Sequence, residues 1–251
     1  MTFKAKTKYA NRFKSLFELL FNNMTTVCLT IDQTGLSLKT TTSQNITFDV
    51  QLPSHHFDEY VFGGLEPIHV GLGNKVKKFF KTVKNKSIVE FSITDPFLFD
   101  IIITALDNQN NCKSFLSVTI ASVQNIAPFD SIDYKVPSVR VPNTNFSKMC
   151  RSFMTPTFYL SKTNGELEFG STMINIFKES FRFGVADSTD TSAVFHRHYR
   201  TDQIIRIIKM ASLVPKHLSI YVEKGLPLLV KSTSEIGTVK VYINAMIDDT
   251  A

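Results

Sequence analysis

Residues Asn74-Lys75-Val76-Lys77-Lys78-Phe79-Phe80-Lys81-Thr82-Val83-Lys84 place apolar side chains at Val76, Phe79, Phe80 and Val83 and surround them with lysine. The spacing i, i+3, i+4, i+7 is that of one face of an α-helix. Three further segments fit it without exception: Phe13, Leu16, Phe17, Leu20; then Phe146, Met149, Cys150, Phe153; then Ile204, Ile207, Ile208, Ala211. Asn11, Asn74, Asn143 and Thr201 stand just ahead of the four stripes and are expected as N-caps.

Each predicted helix is followed by alternating strands with a turn between them. Val27–Ile31 and Leu36–Leu38 flank Asp32-Gln33-Thr34-Gly35, and Ile88–Ile93 and Phe97–Thr104 flank Thr94-Asp95-Pro96. Thr157–Leu160 and Leu167–Phe169 flank Lys162-Thr163-Asn164-Gly165, and Leu218–Val222 and Leu228–Lys231 flank Glu223-Lys224-Gly225. Ile46–Leu52, Phe115–Ala121, Ser138–Val141 and Val239–Ile243 read as further strands. One helix plus several strands thus recurs four times, at a spacing of roughly 60–70 residues, too long for a solenoid repeat. The segment 122–133, polar and holding Pro128, reads as a connector. The expectation is α+β: two similar domains, 1–121 and 134–251, each with two helices on antiparallel sheet.

Composition bounds the rest. Of 251 residues, 43% are hydrophobic and 20% charged, enough for a real core and against wholesale disorder. No apolar run is long enough to span a membrane, since Phe97–Ala105 is cut by Asp100. Residues 2–6 lack the apolar block of a secretory signal. Cys28, Cys112 and Cys150 are odd in number and scattered, which points to a reducing compartment and away from disulfides or zinc.

The basic residues carry the functional signal. Counted from the first apolar position, +2 and +5 are Lys78 and Lys81 in helix two, Lys148 and Arg151 in helix three, and Arg206 and Lys209 in helix four. Such a pair lies away from the apolar stripe, one turn apart. Helix two adds Lys75, Lys77 and Lys84; helix one has Ser15 and Glu18 at the two positions, with Arg12 and Lys14 beside them. Rows of Lys and Arg without an Asn/Gln base-reading set suit sequence-independent contact with phosphates. With helices about 10 Å wide, a ring around a duplex on the order of 20 Å across needs about ten of them, so about three such chains.

Here the pattern resembles the proliferating cell nuclear antigen family of DNA sliding clamps, over essentially the whole chain. The match is carried by Leu20 and Val27-Cys28-Leu29-Thr30-Ile31, Gly35-Leu36-Ser37-Leu38, Phe57-Asp58-Glu59-Tyr60, Val139-Arg140-Val141-Pro142, Phe146-Ser147-Lys148-Met149-Cys150-Arg151, Leu226-Pro227-Leu228-Leu229-Val230 and Ala245-Met246-Ile247-Asp248-Asp249. The resemblance implies a homotrimeric, six-domain ring around double-stranded DNA, tethering DNA polymerase and other replication or repair proteins and placed by a clamp loader. It implies no catalytic activity and no cofactor, and action in the nucleus or in the replication compartment of an infected cell. Pore-lining cations would be Lys14, Lys78, Lys81, Arg140, Lys148 and Arg151; Met210 stands where the family has Lys. A pocket for short apolar and aromatic client peptides would involve Ile46, Ile126, Phe129, Pro227, Tyr242, Ala245 and Met246, with Thr41 where a larger apolar residue is usual. Subunits would join through edge strands, near Lys113, Phe115 and Val118 on one side and Ile174, Ile176 and Phe177 on the other. The net charge of +6 departs from the acidic balance usual in the family, and the loop near Asp187–Thr191 is short. Both mark a divergent member, and a viral source is consistent with them.

Two alternatives stay open: a subunit of a checkpoint-type heterotrimeric clamp, or a monomeric clamp-like polymerase accessory factor. A nuclease using the same basic surface would need carboxylate clusters for Mg²⁺, and the sequence offers none, nor any phosphate loop or Gly-x-Ser-x-Gly. His55 and His56 are expected on opposite sides of a strand, and His196 and His198 on one face of a surface strand among Arg197 and Arg200; neither pair reads as a metal site.

Overall fold

The structure, a computed structural model, describes residues 2–84, 86–106, 111–120, 132–173, 177–184 and 195–246. Its elements follow one rhythm four times over: a strand, a helix, then three strands. The first pass is β1 (Phe3–Thr7), α1 (Ala10–Asn23), β2 (Thr26–Asp32), β3 (Gly35–Thr41) and β4 (Ile46–Pro53), with β5 (Glu59–Phe62) added after it. The second is β6 (Ile68–Gly73), α2 (Asn74–Phe80), β7 (Ile88–Ile93), β8 (Leu98–Ala105) and β9 (Cys112–Thr119). The third is β10 (Val139–Pro142), α3 (Asn143–Ser152), β11 (Thr157–Thr163), β12 (Glu166–Met173) and β13 (Phe177–Phe183). The last is β14 (Phe195–Arg200), α4 (Thr201–Arg206), β15 (His217–Tyr221), β16 (Leu228–Ser234) and β17 (Gly237–Ile243). The protein is mixed α+β with four helices and antiparallel sheets.

The chain divides into two compact units. The first comprises 1–40, 49–128 and 233–239; the second comprises 41–48, 129–232 and 240–251. The long segments meet at 128/129, inside the span read as a connector, but 41–48 and 233–239 change sides. Hydropathy cannot reveal that exchange, because a strand's alternation reports which face is buried and not which neighbour it joins.

In the first unit a five-stranded sheet has the order β5-β1-β7-β8-β9, and β2 pairs with both β3 and β6. Its core is largely phenylalanine: Phe13 and Phe91 stand 5.1 Å apart between ring centres, Phe17 and Phe80 4.7 Å, and Phe91 stacks on Phe99 at 5.9 Å. In the second unit a four-stranded sheet has the order β13-β12-β11-β14, and β15 pairs with β10 and β16. There Phe158 stacks on Phe153, Phe169 and Tyr199 at 5.4, 6.0 and 5.6 Å. Each unit packs its helices as a pair, α1 on α2 and α3 on α4.

The turns obey local chemistry. Asp32 Oδ1 accepts hydrogen bonds from the Thr34 and Gly35 amides at 2.7 and 3.2 Å, and Gly35 sits at φ 144° where a Cβ would lie 2.2 Å from the Leu52 carbonyl oxygen. Asn164 and Gly165, at φ 50° and 79°, make the tight β11–β12 hairpin.

Three local expectations change. The helices begin without side-chain caps: Asn74, Asn143 and Thr201 are the first residues of their helices, and Asn11 lies one residue inside α1. Two of the three first residues bond across the unit, as Asn143 N–H does to Lys216 O and Thr201 N–H to Pro156 O, both at 2.9 Å. His55 and His56 belong to a 3₁₀ turn, Ser54–His56, with rings 4.5 Å apart, because Pro53 ends the strand before them. The fourth helix stops at Arg206, and Ile208–Ser212 continues as 3₁₀.

Candidate nucleic-acid interface

In the first unit α1 is held by its apolar stripe, with Phe13, Leu16, Phe17 and Leu20 all buried. α2 buries Val76 and Phe80 against it. That anchoring leaves Lys75, Lys78, Lys81 and Lys84 in solvent, three residues apart along one edge, and among the described residues none of the four has an ion-pair partner. No acidic residue occurs between Asn74 and Lys86, so nothing within the segment offsets its charge.

Three other cations of this unit are occupied. Lys77 donates from Nζ to Asn22 Oδ1 at 2.8 Å, tying α2 to α1. Lys14 Nζ lies 3.5 Å from the Val83 carbonyl oxygen. Arg12 clasps Glu235 with two bonds, Nε to Oε2 at 3.0 Å and a terminal nitrogen to Oε1 at 3.3 Å, and its side chain is only 19% exposed. Burial pushes the Glu235 carboxyl up, but the Arg12 hydrogen bond and charge, with a backbone hydrogen bond, hold it below the ordinary glutamate range. The backbone carbonyl of Glu235 also bonds His56 Nδ1 at 2.8 Å. Arg12 is thus a fastener within the unit; its partner, 223 positions along the chain, leaves no sequence signal.

In the second unit Lys148 and Arg151 project from α3 over the buried stripe of Phe146, Met149 and Cys150, and Arg140 projects from β10 just before the helix. All three are exposed. Burial pushes the Cys150 thiol well up, as its place in the stripe requires. Arg206 and Lys209 differ: both are half-buried and interact with neighbouring groups. Met210 is wholly buried, so the position where a clamp pore would carry Lys belongs here to the core.

Of the residues expected to hold client peptides, the five that the structure describes belong to the second unit. Ile46 and Tyr242 are core residues, and Pro227 is half-buried. Tyr134, which the sequence reading missed, donates its hydroxyl to the Pro227 carbonyl at 2.6 Å and lies 5.6 Å from Tyr221, ring to ring. Ala245 is half-buried and Met246 is 40% exposed; the Met246 amide bonds His198 O at 2.8 Å. Met246 shares a groove with Met154 and Ile205, both exposed. Ile126 and Phe129 lie outside the described residues.

Each unit ends a sheet with one of the strands expected to join subunits. β9 is the last strand of its sheet, with Lys113 exposed and Phe115 67% exposed, while Val118 turns half-buried to the opposite face. β13 is the last strand of the other sheet; it begins at Phe177, and Ile174 and Ile176 lie outside the described residues.

Among the described residues no three His, Cys, Asp or Glu gather as metal ligands, and no helix is long and apolar enough to cross a membrane. His196 and His198 do share a face of β14, rings 5.2 Å apart. No protein-family model matches the chain, and no curated protein matches it.

Proposed function

We propose that this protein is a DNA sliding clamp: a non-catalytic homotrimer that encircles double-stranded DNA without sequence preference and tethers a polymerase and other clients. The observation carrying the reading is the row of exposed cations, without ion-pair partners among the described residues, at matching positions of α2 and α3, one helix in each unit. A core-facing stripe explains where these helices pack but not why the opposite face is so uniformly positive. Phosphate backbones are the partner such a face fits. The fourfold strand–helix–three-strand rhythm and the unpaired outer edges of β9 and β13 support assembly of several copies into a closed ring. On this reading the clamp works in the nucleus or in a viral replication compartment, is placed by a clamp loader, and takes client peptides beside Pro227, Ala245 and Met246.

Light scattering on the purified chain tests the assembly. The expected mass is three times 28.4 kDa. A single-chain mass at micromolar concentration would favour the monomeric accessory factor instead.

A further inference from the structure

In the first unit Lys8, Tyr9, Lys84, Lys86, Ile88 and Leu106 enclose a concavity of about 440 Å³, within the size range of sites for small ligands. Two kinds of chemistry meet in it. Lys84 and Lys86 are exposed and have no ion-pair partner among the described residues, and Lys8 Nζ lies 3.9 Å from a single carboxylate oxygen of Asp58. Three ammonium groups against one carboxylate leave a positive excess that calls for an anion. Tyr9 is half-buried, with Lys8 Nζ 5.4 Å from its ring centre, and Leu106 is 42% exposed; these walls call for a flat apolar group.

A nucleotide supplies both. A base paired within a duplex already has its faces stacked, so only an unpaired one can lie against the tyrosine. We propose that this pocket binds one nucleotide of an unpaired DNA strand, its base against Tyr9 and its flanking phosphates on Lys84 and Lys86. The inference rests on the clamp reading, because Lys84 ends the basic row of α2 and would pass the strand from that row into the pocket. An acidic peptide would use the lysines alone and leave the ring without a role.

The test compares binding of a blunt duplex, the same duplex with a ten-nucleotide dT tail, dT10 alone, and a glutamate peptide of equal charge. The proteins are the full-length chain and a Tyr9→Leu/Lys86→Asn double variant; Lys86 sits at φ 66°, which asparagine tolerates. The wild type is expected to hold the tailed duplex about tenfold tighter than the blunt one, and to prefer dT10 to the peptide. The variant should lose both differences while binding the blunt duplex within about twofold of wild type. A wild type indifferent to the tail, a variant that keeps the preference, or a peptide that binds as well as dT10 overturns the pocket. Failure of the wild type to bind blunt duplex even at low salt, where phosphate contacts alone hold it without encirclement, would count against the clamp reading instead, and the dT10 comparison would still decide the pocket.

Discussion

α2 and α4 carry cations at the same two offsets from their first apolar residue, yet only α2 holds them out in solvent. The difference lies in how the segment after each helix is packed: Met210 is buried where Thr82, at the same offset in α2, is exposed. α2 ends at Phe80 and closes with three-residue turns, Lys81 N–H to Lys78 O at 3.2 Å and Val83 N–H to Phe80 O at 3.2 Å; Val76, Phe80 and Val83 are buried while Lys78 and Lys81 stay exposed. α4 ends at Arg206, and Ile207, at φ −97° and ψ 9°, turns the chain into a 3₁₀ segment. A 3₁₀ turn has three residues per turn, so side chains three apart line up. Ile204, Ile207, Met210 and Leu213 are accordingly all buried, and Lys209 is drawn half out of solvent. A shared register in the sequence fixes where a cation stands along the chain; the packing of its neighbours decides how far it reaches solvent.

The largest expected effect comes from forcing the two helices to be alike. Met210→Lys places an ammonium in the core and should cost about 3–5 kcal/mol of stability, read by urea denaturation; Met210→Leu should cost less than about 1.5. A stable Met210→Lys protein would mean that this position is free to reach solvent as its counterpart Thr82 does. Next, replacing Lys78, Lys81, Lys148 and Arg151 together by Ala should weaken duplex binding on the order of 100-fold and lower its salt slope by about 4, roughly one per lost phosphate contact. Arg206→Ala with Lys209→Ala should lower the slope by less than about 1. Equal effects from the two sets would erase the contrast between α2 or α3 and α4.

Arg12 sharpens the same contrast on the side of stability. Arg12→Ala should cost about 1–2 kcal/mol, given a paired charge that is partly exposed, with little change in duplex affinity. Glu235 has its folded pKa held below its unfolded value, so the stabilisation is complete above the usual glutamate range and disappears as pH falls through the folded value. The gap between wild type and Arg12→Ala should therefore close below about pH 4 in denaturation curves. The smallest effect is Tyr134→Phe, which removes the bond to the Pro227 carbonyl and should cost about 1 kcal/mol.

Much of this was legible in the sequence because it is periodic. The four apolar stripes name the helices, and the Asn164-Gly165 and Asp32–Gly35 turns name their hairpins. Short strands such as β1 and β5 carry too few residues to show a period, and β6 alternates among glycines. The Arg12–Glu235 clasp and the exchange of 41–48 and 233–239 between units depend on contacts between distant segments. Of the candidate interface, the exposed faces of α2 and α3 follow from residue spacing, whereas the occupied state of Arg12, Lys14 and Lys77 follows only from tertiary neighbours.

Encirclement is tested most directly by retention on closed circular duplex DNA through a high-salt wash, followed by one double-strand cut. A ring that holds DNA by topology stays on the circle and slides off once it is linear. Protein that remains after the cut, or that holds linear DNA equally well from the start, would contradict the clamp.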